Sequence, residues 1–360
     1  MDMSGLDRRA LLGGIFGALP ALAGYRLGTL AQPGRGESAP TAAPEEPRTE
    51  DGPVDLGTTG GELSEAYAIN DRGHVAGFSY NADEDPRGFF WDGAIMRELP
   101  SLGGQESEAN DINAGGLLVG SAISSDEHRY AVVFEGDQIV NLGTLGGTTS
   151  SAIAVNDDGV ICGFSRTANG DVRALVLIDG QMEPLSAFPA MQGESRATAI
   201  NNAGDIAGWC TNASGTSRPA LWINNSIRDL TPNSPFAGAA TGINASGQVV
   251  GAVVGQSGNF EAVLWQPDGQ TVFLPVEEGF ASTATAINDA GSIVGYLLDA
   301  DDKRYAVAWI DGSLIRLPTL GGPRSTAWAI NSAGQIAGSA RTGPDGDDSA
   351  TTHATLWLAV

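Results

Sequence analysis

An Asn that is followed three residues later by one Gly, and seven residues later by another, occurs seven times along this chain. Successive copies of the Asn lie 43 to 45 residues apart. A fixed period in this range marks a repeat protein, and strand-like content within it indicates the blades of a β-propeller. The Asn and first Gly of the successive copies are Asn70 and Gly73, Asn113 and Gly116, Asn156 and Gly159, Asn201 and Gly204, Asn244 and Gly247, Asn288 and Gly291, and Asn331 and Gly334.

Each repeat has the pattern of four short strands. A connector, most complete as LGTLGG at 142–147, leads into an Ala-rich alternating segment that suits an innermost strand at a crowded axis. The Asn-x-x-Gly motif predicts a hairpin in which the Asn side chain bonds back to its own backbone. The second Gly marks a position in the second strand where no Cβ fits, and we expect it to face the neighbouring blade. The third strand ends on a large residue, often Trp, which we expect to pack between blades.

The seventh repeat predicts how the ring closes. Its third strand is residues 354–360, and residues 53–56, ahead of the first connector, supply the missing fourth strand. Sharing one blade between the two ends of the chain removes both free edges. The sequence therefore predicts an all-β fold, a seven-bladed β-propeller of four-stranded antiparallel blades over 53–360, with the last blade closed by an N-terminal strand. The alternative is an open β-solenoid of seven rungs.

The first 52 residues are expected to direct export rather than to fold. Arg8 and Arg9 precede a short apolar stretch, which is typical of a twin-arginine signal peptide, here residues 1–31. An uncleaved membrane anchor is the alternative reading, although the apolar stretch is shorter than a spanning helix needs. Residues 32–52 are rich in Pro, Glu and Ala and predict a disordered linker. We expect a periplasmic, cell-surface or extracellular location in a prokaryote, with no transmembrane span in the mature chain.

The charge balance limits the class of partner. The chain has 43 acidic and 19 basic residues and a net charge of -24, so it lacks the basic surface that nucleic acid requires. Its two cysteines, Cys162 and Cys210, lie in successive repeats and are interpreted as buried thiols, with a disulfide as the alternative. We expect a monomer whose partner is an unknown protein or glycan.

The repeat also resembles the HAF repeats of predicted extracellular bacterial proteins. The resemblance covers Leu56 to Trp357 and rests on the LGTLGG connector, the Ala-Ile-Asn-x-x-Gly turn and the apolar third strand ending in Trp. The His-Ala pair that names the family occurs at His353-Ala354 only, and the other repeats carry Arg, Tyr or Glu in place of the His. The resemblance implies export and a repeat scaffold, and it implies no established reaction.

The loops between the second and third strands are the most variable part of the repeat, and several are acidic. They lie on the face of the connectors, opposite the Asn-x-x-Gly turns, so we expect a ligand site there. The candidate ligand-binding residues are Asp83, Glu84, Asp85, Asp126, Glu127, Asp301 and Asp302. The candidate Ca²⁺ ligands are Asp345, Asp347 and Asp348. A solvated acidic rim is the alternative, since no loop has the ligand spacing of an EF-hand.

Arg residues recur at the start of the third strand, and we expect each to pair with a nearby acid or to cap a connector carbonyl. They are Arg87, Arg129, Arg173, Arg218 and Arg304. No nucleophile motif or zinc-ligand spacing is present in the sequence, so no catalytic residue and no cofactor other than Ca²⁺ is predicted. The sequence favours an exported, non-catalytic binding or scaffolding module. The alternative is a hydrolase or lyase with carboxylates, with or without Ca²⁺, at the axial mouth.

Overall fold

The computed structural model describes residues 52–188, 193–211, 215–344 and 350–358. All regular structure in these ranges is β-strand, and no helix is present in them. Consequently the described part of the chain holds no helix that could cross a membrane. The Arg8-Arg9 motif, the predicted signal peptide and the linker up to residue 51 lie outside the described residues.

Antiparallel pairing groups the strands into sets of four that follow the repeats, and we number these sets as blades 1 to 7. Blade 1 contains β2 (Gly60–Ile69), β3 (Val75–Asn81), β4 (Pro86–Trp91) and β5 (Met96–Glu98). Blade 2 contains β6 (Gly103–Ile112), β7 (Leu118–Ser124), β8 (Arg129–Glu135) and β9 (Gln138–Asn141). Blade 3 contains β10 (Gly146–Val155), β11 (Ile161–Thr167), β12 (Val172–Ile178) and β13 (Gln181–Pro184).

The remaining blades have the same order. Blade 4 contains β14 (Ser195–Ile200), β15 (Ile206–Thr211), β16 (Ser217–Ile223) and β17 (Ser226–Asp229). Blade 5 contains β18 (Gly238–Ile243), β19 (Val249–Val254), β20 (Phe260–Trp265) and β21 (Thr271–Phe273). Blade 6 contains β22 (Ala281–Ile287), β23 (Ile293–Leu298), β24 (Arg304–Ile310) and β25 (Ser313–Arg316). Blade 7 contains β26 (Ser325–Ile330), β27 (Ile336–Arg341), β28 (Thr352–Trp357) and β1 (Val54–Asp55).

The N-terminal strand pairs with the last strand of the chain, as the sequence predicts. Val54 lies opposite Leu356, and Asp55 lies opposite Thr355, in antiparallel register. His353 adds a side-chain contact to this joint, because its Nδ1 lies 2.9 Å from Asp55 Oδ1. Burial alone would raise the pKa of Asp55, but the hydrogen bonds from His353 and from the Gly57 backbone outweigh it and lower the pKa.

The second Gly of each repeat has no room for a side chain, but the reason differs from the prediction. A Cβ on Gly77 would lie 1.9 Å from Glu65 O, and a Cβ on Gly295 would lie 2.0 Å from Thr283 O. Both carbonyls belong to the first strand of the same blade, where the register shifts at a bulge. The expectation that these glycines face the neighbouring blade was therefore wrong. They let the two inner strands of one blade approach each other.

The Trp residues of the third strand pack between blades, which confirms that prediction. Trp222 lies in a buried cluster that includes Ala154 and Cys162 of the preceding blade. The Nε1 atoms of Trp222 and Trp309 each donate to a connector carbonyl at 2.7 Å. Cys162 and Cys210 are both buried and free, as interpreted from the sequence, and burial raises the pKa of Cys210 to about 12.

Candidate binding site

Strand direction places two different openings near the axis. The first strand of each blade runs from the connector to the Asn-x-x-Gly turn, so connectors and turns lie at opposite ends of the inner strands. We name the two openings the Asn-turn mouth and the connector mouth. The Asn-turn mouth is a cavity of about 250 Å³ lined by the signature Asn residues and their neighbours. The connector mouth is a cavity of about 360 Å³ lined by residues of blades 6, 7 and 1.

The signature Asn side chains link each blade to the next at the Asn-turn mouth. Asn70 Nδ2 donates to Asn113 O at 3.1 Å, and the same bond recurs from blade to blade. The last of them runs from Asn331 Nδ2 back to Asn70 O at 3.1 Å. The Oδ1 atoms accept the backbone N–H four residues on, as in Leu117 N to Asn113 Oδ1 at 2.9 Å. The predicted bond back to the local backbone is therefore present, together with a bond between blades that the sequence did not reveal.

The carboxylates of the Asn-turn mouth are also held by neighbouring blades. Asp71, Asp157 and Asp289 each directly follow a signature Asn and line the cavity. Their Oδ1 atoms accept the backbone N–H groups of Ser332, Ala114 and Ala245, respectively, at 2.8 to 2.9 Å. Asp157 additionally accepts a bond of 2.7 Å from Asn202 Nδ2. These carboxylates therefore join the blades, which is a structural role.

Aromatic side chains fill the region between the two mouths. One buried cluster, whose members come from five blades, contains Tyr67, Phe78, Trp209, Tyr296 and Trp328. Trp328 packs edge-on against Tyr67, with ring centroids 6.1 Å apart, and against Tyr296 at 6.2 Å. Such edge-to-face packing stabilises a dry core beyond its buried area.

Three arginines line the connector mouth: Arg304, Arg324 and Arg341. Arg304 lies over two rings of the axial cluster, with its guanidinium carbon 4.7 Å from the Tyr296 centroid and 6.0 Å from that of Trp328. Arg341 donates to Gly343 O at 3.3 Å. Neither Arg304 nor Arg324 forms an ion pair with a residue of the described ranges. The cavity thus concentrates positive charge in a strongly acidic protein.

Arg129 shows what the same repeat position does when acids surround it. Arg129 and Arg304 both lie 16 residues after a signature Asn, at the first position of a third strand. Arg129 donates to Ser121 Oγ at 2.9 Å and pairs with Glu106 and Glu108. Arg304 has aromatic rings beneath it instead, which hold the guanidinium in place without neutralising its charge.

The expected acid or carbonyl partners are present for the other third-strand arginines. Arg87 pairs with Asp85 at 3.0 Å and donates to a connector carbonyl at 2.9 Å. Arg173 pairs with Asp171 at 3.2 Å, and Arg218 pairs with Asp229 at 3.1 Å. The prediction is confirmed for four of the five arginines and fails at Arg304, which stacks on aromatic rings.

Arg196 is a second cation near the axis that sequence reasoning missed. Its side chain is only 10% exposed, and its Nε and Nη1 atoms have no hydrogen-bond partner in the described part of the chain. The guanidinium lies 4.2 Å from the Phe164 centroid, 5.7 Å from that of Trp209, and 3.8 Å from Glu194. Burial lowers the pKa of Arg196.

The candidate acidic residues lie in tight turns on the connector face. Glu84, Glu127 and Asp302 occupy equivalent turn positions with φ near +60°. The hydrogen bond from Ser124 is the main reason that the pKa of Asp126 is lowered. Asp302 is the one candidate that lines the connector mouth. The other candidates in the described ranges, Asp83, Glu84, Asp85, Asp126, Glu127 and Asp301, lie in the loops of blades 1, 2 and 6 and do not line it.

The Ca²⁺ hypothesis stays a prediction. Asp345, Asp347 and Asp348 lie outside the described residues. Among the residues that are described, no three His, Cys, Asp or Glu side chains form a group that could hold a metal ion.

Two of the three arginines at the connector mouth were not predicted from the sequence. Arg324 lies seven residues before Asn331, where blade 2 has Glu106, and Arg341 lies ten residues after it. The one sequence signal for this site was that Arg324 is basic at a repeat position where blade 2 has the acidic Glu106. It became informative only when the strands brought Arg304 beside both of them.

A scan against protein-family models finds no match, and neither does a search of curated proteins. Among solved structures, the chain is similar to the β-propeller domain of the Trilobed protease from Pyrococcus furiosus, at 12% identity and a TM-score of 0.52, over 69% of this chain and 81% of that one. It is also similar to the WD40 β-propeller domain of Doa1, at 16% identity and a TM-score of 0.50, over 85% and 97% of the two chains. The chain has a β-propeller fold. At these identities the likeness concerns the fold alone.

Proposed function

We propose that the protein is a closed seven-bladed propeller that acts as an exported, monomeric and non-catalytic binding module. Closure is supported by the pairing of β1 with β28 and by the bond from Asn331 to Asn70 that joins the last blade to the first. Both contacts connect residues about 260 or more positions apart in the sequence. A ring closed in this way has no free edge and gives a rigid frame for a ligand site.

The observation that carries the proposed function is the arginine-lined cavity at the connector mouth. Arg304 and Arg324 present guanidinium groups that have no acidic partner among the described residues. Arginine recognises carboxylate and phosphate oxygens through paired, charge-assisted hydrogen bonds. The cavity lies on the face where the repeats vary, which is where binding residues are expected. The proposed ligand therefore carries an anionic group.

A thermal-stability screen of the whole chain tests this function. Acetate, citrate, phosphate and acidic monosaccharides are added to the wild type, to an Arg304→Gln/Arg324→Gln variant, and to Arg72→Gln. Arg72 is an exposed arginine within an Asn-x-x-Gly turn, so its variant removes one charge from the opposite face. We expect at least one anion to raise the Tm of the wild type and of Arg72→Gln but not of the double variant. Equal shifts in all three proteins would show that the connector mouth is not the site.

Export is proposed from the sequence and from the resemblance to HAF repeats. The twin-arginine route carries proteins that have folded, which suits a ring whose last blade needs both ends of the chain. A fusion of residues 1–52 to a reporter enzyme should be exported, and changing Arg8 and Arg9 together to Lys should retain it in the cytoplasm. Equal export of the two fusions would contradict this part of the proposal.

A further inference from the structure

We infer that the connector mouth binds a terminal acidic sugar, such as a uronate at the end of a glycan chain. This inference rests on the proposed function and names its ligand class. Its basis is the composition of the cavity wall, which combines guanidinium groups with hydroxyl groups. The side chains that carry the argument are Arg304, Arg324, Arg341, Asp302, Thr326 and Ser339.

The guanidinium groups of the cavity explain why the inferred ligand carries an acidic group. Arg304 is held over Tyr296 and Trp328, which are both at most 4% exposed, so its planar group is positioned before a ligand arrives. Pre-positioned groups lose little entropy on binding. Arg324 is exposed at the edge of the same cavity. Together Arg304 and Arg324 offer planar groups whose paired N–H donors can bind both oxygens of a carboxylate.

The other residues of the cavity wall explain why the inferred ligand is a sugar. Thr326, Ser339 and Thr352 contribute hydroxyl groups, and Asp302 contributes a carboxylate that can accept from a ligand hydroxyl. Ser325 is already used, because its Oγ accepts the Ala306 N–H at 3.0 Å. The aromatic rings lie buried beneath Arg304 and offer no face to a ligand, so recognition does not use stacking on these rings. A volume of about 360 Å³ falls within the usual range for small-ligand sites.

The net charge limits how many acidic groups the ligand can carry. The whole chain has a net charge of -24, and the loops around this cavity include Asp301 and Asp302. A long polyanion would extend across an acidic surface and be repelled, because like charges that face each other are unfavourable. A ligand with one carboxylate at its end avoids this repulsion. A terminal sugar acid is therefore favoured over a polyuronate, a sulfated polymer or a nucleic acid.

Calorimetric titration with a matched pair of sugars tests the inference. Methyl β-glucuronide and methyl β-glucoside differ only in a carboxylate against a hydroxymethyl group. Acetate supplies the charge without the hydroxyls, and a tripeptide with a free carboxyl terminus represents a protein ligand. We expect the glucuronide to bind at least about tenfold more tightly than either the glucoside or acetate, since charge and hydroxyl contacts both contribute.

Two variants test whether the glucuronide binds at the connector mouth. Arg324→Gln should weaken glucuronide binding about tenfold, whereas the matched Arg72→Gln should leave it unchanged. Arg324 is exposed, so its variant is expected to fold, and its melting temperature checks this. As a measurement that needs no variant, raising NaCl from 50 to 500 mM should weaken glucuronide binding to the wild type.

The outcomes separate this inference from the proposed function. Equal affinity for glucuronide and acetate, or tighter binding of the tripeptide, would show that the ligand is not a sugar acid. The proposed anion site would still stand if Arg324→Gln weakens the binding of these probes. Glucoside binding as tight as glucuronide binding would overturn the role of the carboxylate. If no probe binds, or if Arg324→Gln and Arg72→Gln behave alike, both the inference and the proposed function are wrong.

Discussion

The two mouths of the axis are built from the same repeat, yet they use their polar groups differently. At the Asn-turn mouth the signature Asn residues bond to the next blade, and Asp71, Asp157 and Asp289 accept backbone N–H groups across the blade junctions. At the connector mouth Arg304 and Arg324 have no acidic partner among the described residues. The polar groups of the first mouth join neighbouring blades, and the second mouth retains positive charge that a ligand could pair with.

This difference follows from how strictly the repeats agree. An Asn in every repeat can form a bond that passes from blade to blade, because each copy provides both a donor and an acceptor. The positions around the connector mouth differ between repeats, as Arg129 with its acidic partners and Arg304 without them demonstrate. Repetition therefore favours structural contacts, and divergence between repeats leaves room for a binding site.

The scaffold that both mouths share should be the most sensitive part of the molecule. Gly295→Ala would place a Cβ 2.0 Å from Thr283 O, so the inner strands of blade 6 would have to separate. We expect a loss of about 3 kcal/mol or more in the free energy of unfolding, measured by urea denaturation. The matched variant Gly115→Ala places its Cβ 3.2 Å from Asn113 Oδ1 and should cost less than about 1 kcal/mol. Comparable losses in the two variants would contradict the close-approach explanation.

Breaking the Asn-turn mouth should have the next largest effect. Asn288→Ala removes the donor to Asn331 O and the acceptor of the Ser292 N–H, leaving buried groups unpaired. Urea denaturation should show a loss of about 2 to 3 kcal/mol. Ser332→Ala is the control, because it changes an adjacent turn position at which blades 2 and 5 already have Ala, and it should be nearly neutral. If Asn288→Ala is also neutral, the bonds between blades contribute little.

A gain in stability is expected at Arg196, in the first strand of blade 4. Arg196 is a buried cation whose Nε and Nη1 atoms have no hydrogen-bond partner among the described residues. The Phe164 ring and Glu194, 3.8 Å away, compensate its charge only in part. Replacing such a group with an apolar side chain of similar length removes its desolvation cost. Arg196→Met should therefore raise the free energy of unfolding by about 1 kcal/mol. Arg166→Met, at a more exposed neighbour, is the comparison and should change it little. A destabilised Arg196→Met protein would mean that the cation–π contacts outweigh the desolvation.

The smallest effect concerns the joint between the ends of the chain. The folded-state pKa of Asp55 lies below its ordinary value of 3.8, so its stabilisation is present above that pH and is lost as the pH falls through the folded pKa. The side chain is 41% exposed and solvent screens the contact, so the contribution is at most about 1 kcal/mol. Asp55→Asn should flatten the dependence of Tm on pH between 5 and 2, whereas Asp83→Asn, in an exposed loop, should retain it. An unchanged profile for Asp55→Asn would show that the joint does not respond to pH in this range.

Much of the fold could be predicted because its signals are local. The period of the repeat, the Asn-x-x-Gly turns and the transfer of residues 53–56 to the last blade all depend on residues close together in the sequence or on simple counting. The strand order and the pairing of β1 with β28 followed from them.

The site could be predicted less well, because it depends on which way side chains point and on residues from three blades. One cavity is lined by Arg304, Arg324, Arg341 and Leu63, and they share it only because blades 6, 7 and 1 are neighbours in the folded protein. The acids of the loops were conspicuous in the sequence, and of those that the structure describes only Asp302 lines the cavity. The second Gly was understood as a close approach, but the partner strand belongs to its own blade, because a bulge that the sequence does not reveal brings Thr283 O against Gly295.

The central claim is that ligands bind at the connector mouth and not at the Asn-turn mouth. A crystal structure of the whole chain grown with methyl β-glucuronide tests it most directly. We expect ligand density against Arg304 and Arg324, with the hydrogen bonds between the signature Asn residues unchanged and the Asn-turn mouth free of sugar. Density at the Asn-turn mouth, or at neither mouth although the sugar binds in solution, would contradict it.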